Sequence, residues 1–328
     1  MREAEFTVGY VAIQSYKDVV AVPPELRDRL PSSFDVVGDI AVIKIPEELR
    51  PYREEIGRAI LQWNAKIRTA VEDRGVAGEH RIRTIEVLAG EPRTTTVHLE
   101  HGLRYHVDLA RAYFSPRLGS ERARIADLVQ EGETVADPFA GVGPFAILIA
   151  RRRNPQQVHA SDANAAAVEL LRTNVAANRA DRVVVHEGDA RKVLRTIAPV
   201  DRVILDLPHS ALEFLPNALA AIGPRGSVHM YRILEGADEA ETRRQIKSAA
   251  RKAGMKITAL GTHRVRAYSP TQHHVAFDVT VSRASRPSDL GTSRSADRRS
   301  PKPASRASRK RPARTAPRSG SRGRRKKR

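Results

Sequence analysis

The stretch from Val135 to Ala150 constrains the fold of this chain more than any other part of it. It reads as a short apolar strand ending at Asp137, a turn that contains Gly141 and Gly143, and an apolar helix. Glycine leaves no side chain where a backbone must approach a ligand closely. In an open parallel sheet such a turn follows the carboxyl end of a strand, where ligands bind. The stretch therefore predicts the first strand, loop and helix of a nucleotide-binding sheet.

The segments after residue 112 alternate between strand and helix patterns, which builds a parallel sheet with helices on both faces. The predicted strands are 134–137, 157–161, 182–186 and 200–206, and the predicted helices are 121–129, 143–152, 165–178 and 190–197. Two late segments, 256–265 and 275–281, are strand-like and should close the sheet as an antiparallel edge pair. The predicted fold class is α/β, with a Rossmann-like domain over 113–282.

Residues 33–112 predict a small α+β domain on the amino-terminal side. Its pattern has a strand-rich segment at 34–46, a helix at 54–71 with apolar residues at helical spacing, and strands at 81–88, 94–99 and 105–109. Residues 1–32 are polar and interrupted by prolines, so we expect a loosely ordered lead-in.

The last segment, 283–328, carries most of the net positive charge. Of the chain's 57 Lys and Arg residues, 18 lie in this segment, compared with only 2 of its 38 Asp and Glu residues. Leu290 is its only large apolar residue, so the segment cannot bury enough surface to fold and is expected to be disordered. Two roles remain open: a nonspecific contact with a polyanion such as RNA, or a solubilising tail without a specific role.

Composition excludes several classes of protein. No cysteine is present, which excludes disulfides, thiolate metal sites and cysteine nucleophiles. No apolar run approaches the roughly 20 residues that span a bilayer, and the first residues lack the apolar core of a secretory signal. We therefore expect a soluble, cytoplasmic monomer without membrane contact. His273 and His274 lack the spacing of metal ligands on a helix, so no metal is expected.

Acidic residues recur where the predicted strands end. Asp162 follows the second strand, about 20 residues after the glycine turn, where a carboxylate accepts hydrogen bonds from ribose hydroxyls. Asp189 follows the third strand and could reach an adenine, and Asp206 follows the fourth, where a transferred group should lie. An aspartate can also simply cap a helix, but the repetition after successive strands favours an adenosine-containing cofactor. The predicted cofactor-binding residues are Asp137, Phe139, Gly141, Gly143, Asp162, Ala163, Asp189, Ala190, Asp206 and Pro208.

The glycine turn resembles the S-adenosylmethionine loop of class I methyltransferases. A dinucleotide signature requires a third glycine, and Pro144-Phe145 stands here instead. Three further segments resemble the archaeal and eukaryotic tRNA (guanine-37) N1-methyltransferases: 30–43, 113–122, and 266–270 together with His274. These segments lie outside the general methyltransferase core, and the resemblance covers roughly residues 33–282. It implies a class I methyltransferase domain that uses S-adenosyl-L-methionine.

The resemblance also implies an activity and the residues that perform it. The methyl group goes to N1 of guanosine 37, 3′ to the anticodon, so the partner is the anticodon stem-loop of tRNA. Neutral guanine carries a proton on N1, so a base must remove it and a donor should stabilise charge on O6. Glu121 resembles the general base, Arg81 or Arg83 is the candidate for O6, and Arg122 resembles a cofactor contact. Glu121 also suits the first turn of any helix, and the two strand arginines suit solvent or phosphate contacts.

One residue departs from the family pattern. The chain has Asp206-Leu-Pro208 where the family usually has Asn-Leu-Pro. An ionised aspartate only accepts hydrogen bonds, whereas asparagine both accepts and donates. An acceptor suits the N–H groups of a guanine edge or the amino group of the cofactor, so Asp206 is predicted as both a catalytic and a cofactor-binding residue. The exchange leaves the choice of base open, because Asp-x-Pro also occurs in enzymes that methylate exocyclic amines.

Two rival functions remain open. The nearest is the aminocarboxypropyl transferase of the wyosine pathway, which has a related fold and the same cofactor. The Pro144-Phe145 turn and the Leu-Pro after the fourth strand favour methyl transfer over that rival. The other is an RNA-binding protein that keeps the fold without catalysis and relies on the basic tail. Product mass on tRNA separates the first rival, and failure of residues 1–282 to bind S-adenosylmethionine would favour the second.

Overall fold

The amino-terminal part of the chain forms a four-stranded sheet covered by one helix. The computed structural model describes residues 14–77, 82–236 and 238–283, all within one structural unit. The strands are β1 (Asp35–Val37), β2 (Ile40–Ile43), β3 (Thr69–Ala77) and β4 (Ile82–Gly90), in the order β1-β2-β3-β4. Helix α1 (Arg53–Trp63) connects β2 to β3, which pair in parallel and therefore need such a crossover.

The predicted helix 54–71 was too long. Helix α1 ends at Trp63 because Asn64 adopts an extended conformation. Residues from Thr69 onward belong to β3 instead, where Thr69 pairs with Ile40. The apolar spacing that suggested one long helix thus covers a helix, a turn and the start of a strand.

The predicted loose lead-in was also wrong for residues 14–32. Tyr16 and Leu30 are 3% and 4% exposed and belong to the same apolar cluster as Ile56 and Ile60 of α1. The hydroxyl of Tyr16 donates to the carbonyl oxygen of Pro31 at 2.6 Å, so the beginning and the end of this segment are hydrogen-bonded to each other. Residues 1–13 and 284–328 lie outside the described residues, and Arg283, the first residue of the predicted tail 283–328, is instead the last residue of a strand.

A hairpin of β5 (Thr95–Glu100) and β6 (Leu103–Asp108) leads into the second, larger sheet. The elements that follow are α2 (Gly119–Leu128), β7 (Thr134–Asp137), α3 (Pro144–Arg152), β8 (Gln157–Asp162), α4 (Ala165–Ala177), β9 (Val183–Glu187), α5 (Ala190–Ile197), β10 (Val200–Leu205), α6 (Ala211–Ala221), β11 (Ile222–Glu235), α7 (Asp238–Lys252), β12 (Met255–Ala267) and β13 (Gln272–Arg283).

The seven strands of the larger sheet lie in the order β12-β13-β11-β10-β7-β8-β9. All pairings among the five strands from β7 to β11 are parallel, whereas β13 pairs antiparallel with both β11 and β12. The chain builds β8 and β9 on one side of β7 and β10 and β11 on the other. A crevice therefore opens at the carboxyl ends of β7 and β10, the usual ligand position in such sheets. The predicted α/β, Rossmann-like fold and its antiparallel edge pair are confirmed.

The sequence-based prediction missed α6, β11 and α7. The first residues of β11, Ile222 to Gly226, contain a Gly-Pro-Arg-Gly run that is typical of a turn. In the structure Gly226 is needed for close packing, because a Cβ there would lie 2.3 Å from the carbonyl oxygen of Asp201. From Arg225 onward β11 pairs with β13 along its length.

The β5–β6 hairpin is hydrogen-bonded to the carboxyl-terminal part of α4, which belongs to the larger α/β part of the fold. The side-chain amide of Asn174 in α4 accepts from the backbone N–H of His106 at 2.6 Å and donates to its carbonyl at 3.0 Å. Asn178 does the same for Arg104, at 2.9 Å and 2.7 Å. The domain boundary at residue 112 stays a prediction. None of the helices in the described ranges is long and apolar enough to cross a membrane.

Candidate active site

A cavity of about 550 Å³ lies at the carboxyl ends of β7, β8, β9 and β10. This volume is in the range of small-molecule sites. Nine predicted site residues line it: Arg122, Phe139, Gly141, Asp162, Ala163, Asp189, Ala190, Asp206 and Pro208. Asp137, Gly143, Glu121 and Arg83 do not line it, and Arg81 lies outside the described residues.

The loop after β7 has the backbone geometry that its glycines predict. Gly141 has φ +54°, and its N–H donates to a carboxylate oxygen of Asp162 at 2.9 Å. Gly143 has φ +92° and starts α3. A Cβ on Gly143 would lie 2.3 Å from Cδ1 of Leu171. Glycine is therefore needed at position 143 for the positive φ and for the close packing against Leu171, whereas Gly141 lines the cavity.

Asp137 lies beneath this loop. Its side chain is buried, with 1% of its surface exposed. Burial, followed by the charges of Asp206 and Asp162, raises the pKa of Asp137 well above its ordinary value, against the opposing effect of nearby backbone N–H groups. Burial thus favours the uncharged form of the carboxyl group, which does not line the cavity where the sequence predicted it.

Asp162 and Asp189 combine a structural task with a position on the cavity wall. Asp162 accepts the backbone N–H groups of Gly141 and Asn164, both at 2.9 Å. Asp189 caps α5 by accepting the N–H of Arg191 at 2.8 Å. A carboxylate has about four acceptor positions, so capping a turn and binding a hydroxyl are compatible.

Phe214, an aromatic residue that the sequence did not single out, completes the cavity beside the predicted Phe139. The rings of Phe139 and Phe214 meet edge to face with centroids 4.8 Å apart, and the guanidinium of Arg191 lies 4.1 Å from the Phe214 ring centroid. Phe214 belongs to α6, which the prediction missed. Such apolar walls suit a flat aromatic ligand.

Two exposed tyrosines line the mouth of the cavity. Tyr113 and Tyr268 are 41% and 45% exposed, unusually high for large rings. Arg83 lies 5.0 Å from the ring centroid of Tyr113, and Arg266 lies 5.6 Å from that of Tyr268. Exposed aromatic rings and guanidinium planes are the groups on which unpaired nucleobases stack. Both tyrosines lie in segments whose sequence resembles the family, 113–122 and 266–270, and this resemblance could have identified them as site residues.

Arg83 is bound tightly behind this mouth. Its side chain forms an ion pair of 2.8 Å with Asp73 and donates to the carbonyl oxygen of Phe114 at 3.4 Å. Its Nε is buried without a hydrogen-bond partner. Arg83 therefore connects the small sheet to the cavity wall.

Arg122 lies on the cavity wall with its guanidinium held in place. It donates to Glu100 at 2.7 Å and to the carbonyl oxygen of Ser115 at 2.8 Å. Its guanidinium also lies 5.0 Å from the ring centroid of Phe114. This places a fixed positive charge at the cavity.

Glu121 does not line the cavity, and its carboxylate accepts three hydrogen bonds. Arg124 donates to both oxygens at 2.7 and 2.8 Å, and the hydroxyl of Tyr231 donates to one of them at 2.7 Å. Burial, followed by the charges of Glu121 and Asp206, raises the pKa of Tyr231 well above its ordinary value. The tyrosine therefore stays protonated and continues to donate.

Asp206 is the carboxylate that faces the cavity directly after β10. Burial raises the pKa of Asp206 to about 6 and Glu121 contributes in the same direction, against the opposing charges of Arg122 and Arg266. A carboxylate with this pKa is ionised at neutral pH and is a stronger base than an ordinary one.

His274 lies nearby with two unpartnered ring nitrogens. It is 3% exposed, lines the cavity, and neither nitrogen has a hydrogen-bond partner. Burial, with the charges of Arg266 and His209, lowers the pKa of His274 to about 4. The neutral ring offers a donor and an acceptor to a ligand. Among the described residues no group of three metal-ligating side chains occurs.

Comparison with known proteins agrees with this geometry. Residues 96–258 match the family described as the TRM5/TYW2 methyltransferase domain, and residues 17–94 match the TYW2 N-terminal domain. The chain is 43% identical over 82% of its length, and 80% of the relative's, to the tRNA (guanine(37)-N(1))-methyltransferase Trm5b of Pyrococcus abyssi. A crystal structure of Trm5b from that organism has a TM-score of 0.75 at 41% identity, with 82% and 80% of the two chains covered.

Two solved structures of relatives with a bound ligand are also similar to this chain. A complex of aTrm5 and tRNALeu has 35% identity and a TM-score of 0.68, covering 78% of this chain and 74% of that one. Methanocaldococcus jannaschii Trm5 in complex with adenosine has 33% identity and a TM-score of 0.68, covering 80% and 78%. The resemblance predicted from the sequence is confirmed, and the chain belongs to the TRM5/TYW2 family together with the archaeal and eukaryotic tRNA (guanine(37)-N(1))-methyltransferases.

Proposed function

We propose that this protein transfers the methyl group of S-adenosyl-L-methionine to N1 of guanosine 37 in tRNA. The observation that carries the proposal is the cavity at the switch point of the sheet, with acidic residues after successive strands and exposed aromatic rings at its mouth. The relatives named for this reaction share the chain's fold over most of its length. The anticodon stem-loop is the proposed RNA partner, and the proposed setting is a cytoplasmic monomer.

The residues of the cavity fit the cofactor. Gly141 leaves its side of the loop open, since a Cβ there would meet only the carbonyl oxygen of Tyr113, at 3.6 Å. Asp162 stands where ribose hydroxyls are usually bound, and the apolar faces of Phe139 and Phe214 suit adenine. The bound cofactor supplies an electrophilic methyl group. The proposed binding residues are Arg122, Phe139, Gly141, Asp162, Ala163, Asp189, Ala190, Asp206 and Pro208.

Proton removal and charge stabilisation at the guanine need further residues. Arg83 is the described candidate for stabilising O6, because it lies against Tyr113 at the mouth and retains an unpartnered Nε. Arg81 stays the other candidate. Glu121, the base that the resemblance implies, would have to exchange Arg124 or Tyr231 for the guanine to act directly.

The basic tail, 283–328, is the proposed nonspecific RNA contact. Its 18 Lys and Arg would release counterions from the RNA on binding, which makes affinity salt-dependent. Deleting 284–328 should flatten the slope of log affinity against log salt, measured by filter binding. An unchanged slope would leave the tail without an RNA role.

Transfer of two different labels from S-adenosylmethionine tests the proposed function. One donor carries the label in its methyl group and the other carries it in the carboxyl group of the aminocarboxypropyl chain. Each is incubated with the full-length protein and an unmodified tRNA transcript. We expect the methyl label, and not the carboxyl label, in the RNA.

The other outcomes identify the rival functions. Carboxyl label in the RNA would show aminocarboxypropyl transfer. Neither label in the RNA, together with RNA binding but no calorimetric binding of S-adenosylmethionine, would show a non-catalytic RNA-binding protein. Either result refutes the proposal.

A further inference from the structure

Glu121 belongs to a continuous network of polar side chains that extends away from the cavity. Arg124 donates from Nε and from one terminal nitrogen to the two oxygens of Glu121, at 2.8 and 2.7 Å. The same guanidinium donates to both oxygens of Asp278 on β13, at 2.7 and 3.2 Å. Two carboxylates from different elements therefore share one planar cation. A guanidinium that is bonded on two sides is fixed in its orientation.

Asp278 is also bonded on its other side, by a buried histidine. Nδ1 of His229 on β11 lies 2.6 Å from an oxygen of Asp278, and Nε2 lies 2.6 Å from a guanidinium nitrogen of Arg202. Because arginine only donates, Nε2 is the acceptor, and Nδ1 carries the proton that is donated to Asp278. Burial, with the charges of Arg202 and Arg124 in the same direction, lowers the pKa of His229 against the opposing effect of Asp278. The ring is therefore a neutral donor to Asp278.

The far end of the network is attached to the end of α2. Arg202 on β10 donates to both oxygens of Glu133, at 2.7 and 2.9 Å, and to the carbonyl oxygen of Leu128 at 2.9 Å. Leu128 is the last residue of α2, and Glu121 lies in its first turn. The network therefore connects both ends of this helix to three adjacent strands, β10, β11 and β13.

We propose that Asp278 is a positioning residue that retains Arg124 while Glu121 exchanges this arginine for the target guanine. This inference rests on the proposed function and concerns how its base becomes available. In that reaction the N1–H bond breaks and its proton passes to an oxygen of Glu121. The electron pair left on N1 forms the N–CH₃ bond, while the S–CH₃ bond of the donor breaks and its electron pair stays on sulfur.

The cost of leaving a charge without a partner explains why a second carboxylate is needed. Glu121 does not line the cavity, so its carboxylate must leave a present partner to reach a ligand there. Removing one partner of a buried ion pair is strongly destabilising, because the remaining charge is uncompensated. With Asp278 in place, Arg124 keeps two hydrogen bonds and an opposite charge throughout the exchange. Without the Asp278 carboxylate, Arg124 would depend on Glu121 alone.

The charges around Glu121 give the exchange a pH dependence. The titratable and charged groups that face its carboxylate are Arg124 on α2, Tyr231 on β11, His263 on β12 with Nε2 at 3.7 Å, and Asp206 after β10, while Asp278 on β13 acts through Arg124. Asp278→Asn removes the negative charge that offsets Arg124, so more of the guanidinium charge acts on Glu121 and favours its ionised form. The variant should therefore bind the guanine proton less tightly.

The test measures the single-turnover rate of N1-methylguanosine formation on an unmodified tRNA transcript, with the full-length protein and S-adenosylmethionine in excess. The variants are Asp278→Asn, Arg124→Met and the two combined. Asp127→Asn is the matched control, because Asp127 forms an exposed ion pair of 3.1 Å with Arg152 on the same helix α2. Circular dichroism verifies folding, and the Kd values of the donor and of tRNA are measured for each variant.

Asp278→Asn should lower the single-turnover rate by about 10- to 100-fold and leave both Kd values at those of the wild type. The midpoint of the acid limb of its pH–rate profile should move to lower pH. The double variant should be no slower than Arg124→Met, because both changes act through the same guanidinium. Asp127→Asn should keep the wild-type rate.

Arg124→Lys is the second test, which decides the matter if Asp278→Asn does not fold. It keeps the positive charge, but a lysine cannot bond two carboxylates as a planar fork. Its single-turnover rate should fall with unchanged Kd values, and a wild-type rate would overturn the inference.

For a folded Asp278→Asn protein, a wild-type rate, an unmoved midpoint or a loss confined to the Kd values would each overturn the inference. So would losses that multiply in the double variant, or an equal loss in Asp127→Asn. A wild-type protein that forms no N1-methylguanosine refutes the proposed function as well. An active wild type with an unaffected Asp278→Asn variant refutes this inference alone.

Discussion

Replacing Asp206 by Asn should make the folded protein more stable at neutral pH and leave its stability unchanged in acid. The substitution keeps the shape of the side chain and removes its charge. In the folded protein the pKa of Asp206 is about 6, compared with 3.8 when the residue is exposed. The folded state therefore binds the proton more tightly, and the wild-type protein loses stability as the pH rises between these two values.

The size of the effect follows from this difference in pKa. A rise from 3.8 to about 6 corresponds to about 3 kcal/mol of unfolding free energy above pH 6. Because the carboxylate lines an open cavity, we expect solvent screening to reduce the gain to about 2 kcal/mol. For a folded part of this size that gain raises Tm by about 4–8 °C.

Urea unfolding of both proteins, below pH 4 and above pH 6, measures the effect. The two unfolding free energies should coincide in acid and diverge by about 2 kcal/mol above pH 6, with Asp206→Asn the more stable. Asp181→Asn, at an exposed position, should show no such divergence. A difference that does not change with pH, or a less stable Asp206→Asn protein at neutral pH, would show that burial does not raise the pKa of Asp206.

Three further substitutions test other parts of the site. Gly143→Ala should lower the unfolding free energy by about 2–4 kcal/mol, because φ is +92° and the Cβ meets a leucine methyl. Gly132 also has a positive φ, but a Cβ there would meet no atom within 4 Å, so Gly132→Ala should lower the unfolding free energy by only about 1–2 kcal/mol in urea. Equal losses for the two glycine variants would contradict a contribution from packing at Gly143. Arg124→Met should cost about 3 kcal/mol by leaving the buried Glu121 carboxylate without its cation, and a neutral effect on urea unfolding would argue against that network. Tyr113→Ala should lower kcat/KM on tRNA by about 10- to 100-fold through lost stacking, with a much smaller loss for Tyr113→Phe, and equal losses would exclude stacking.

The alternating part of the fold was predictable because each strand or helix there carries its own local pattern. The strand at 134–137 and the helix at 190–197 were predicted with the bounds that the structure has. The region 211–252 was not predicted, since α6 is apolar almost throughout and β11 begins with residues typical of a turn. The predicted helix 54–71 extended beyond Trp63 for a similar reason. Apolar spacing alone does not show where a helix ends and a following strand begins.

The positions of the candidate residues along the chain were predictable, but their depth in the fold was not. Asp162, Asp189 and Asp206 line the cavity as their places after strands suggested. Asp137 has the same local pattern but is covered by its own loop. Glu121 turns towards Arg124 and Tyr231, and the second of these partners lies 110 residues away along the chain. Such long-range contacts leave no trace in local periodicity.

Nucleoside analysis of the reacted tRNA by mass spectrometry identifies both the methylated atom and its position in the RNA. The full-length protein and S-adenosylmethionine are incubated with an unmodified transcript that has guanosine 37, and with a matched transcript that has adenosine there. We expect N1-methylguanosine, mapped to position 37 by oligonucleotide fragments, from the first transcript and no methylated nucleoside from the second. Methylation at another atom or another position, or no methylation of the guanosine transcript, would refute the proposed function.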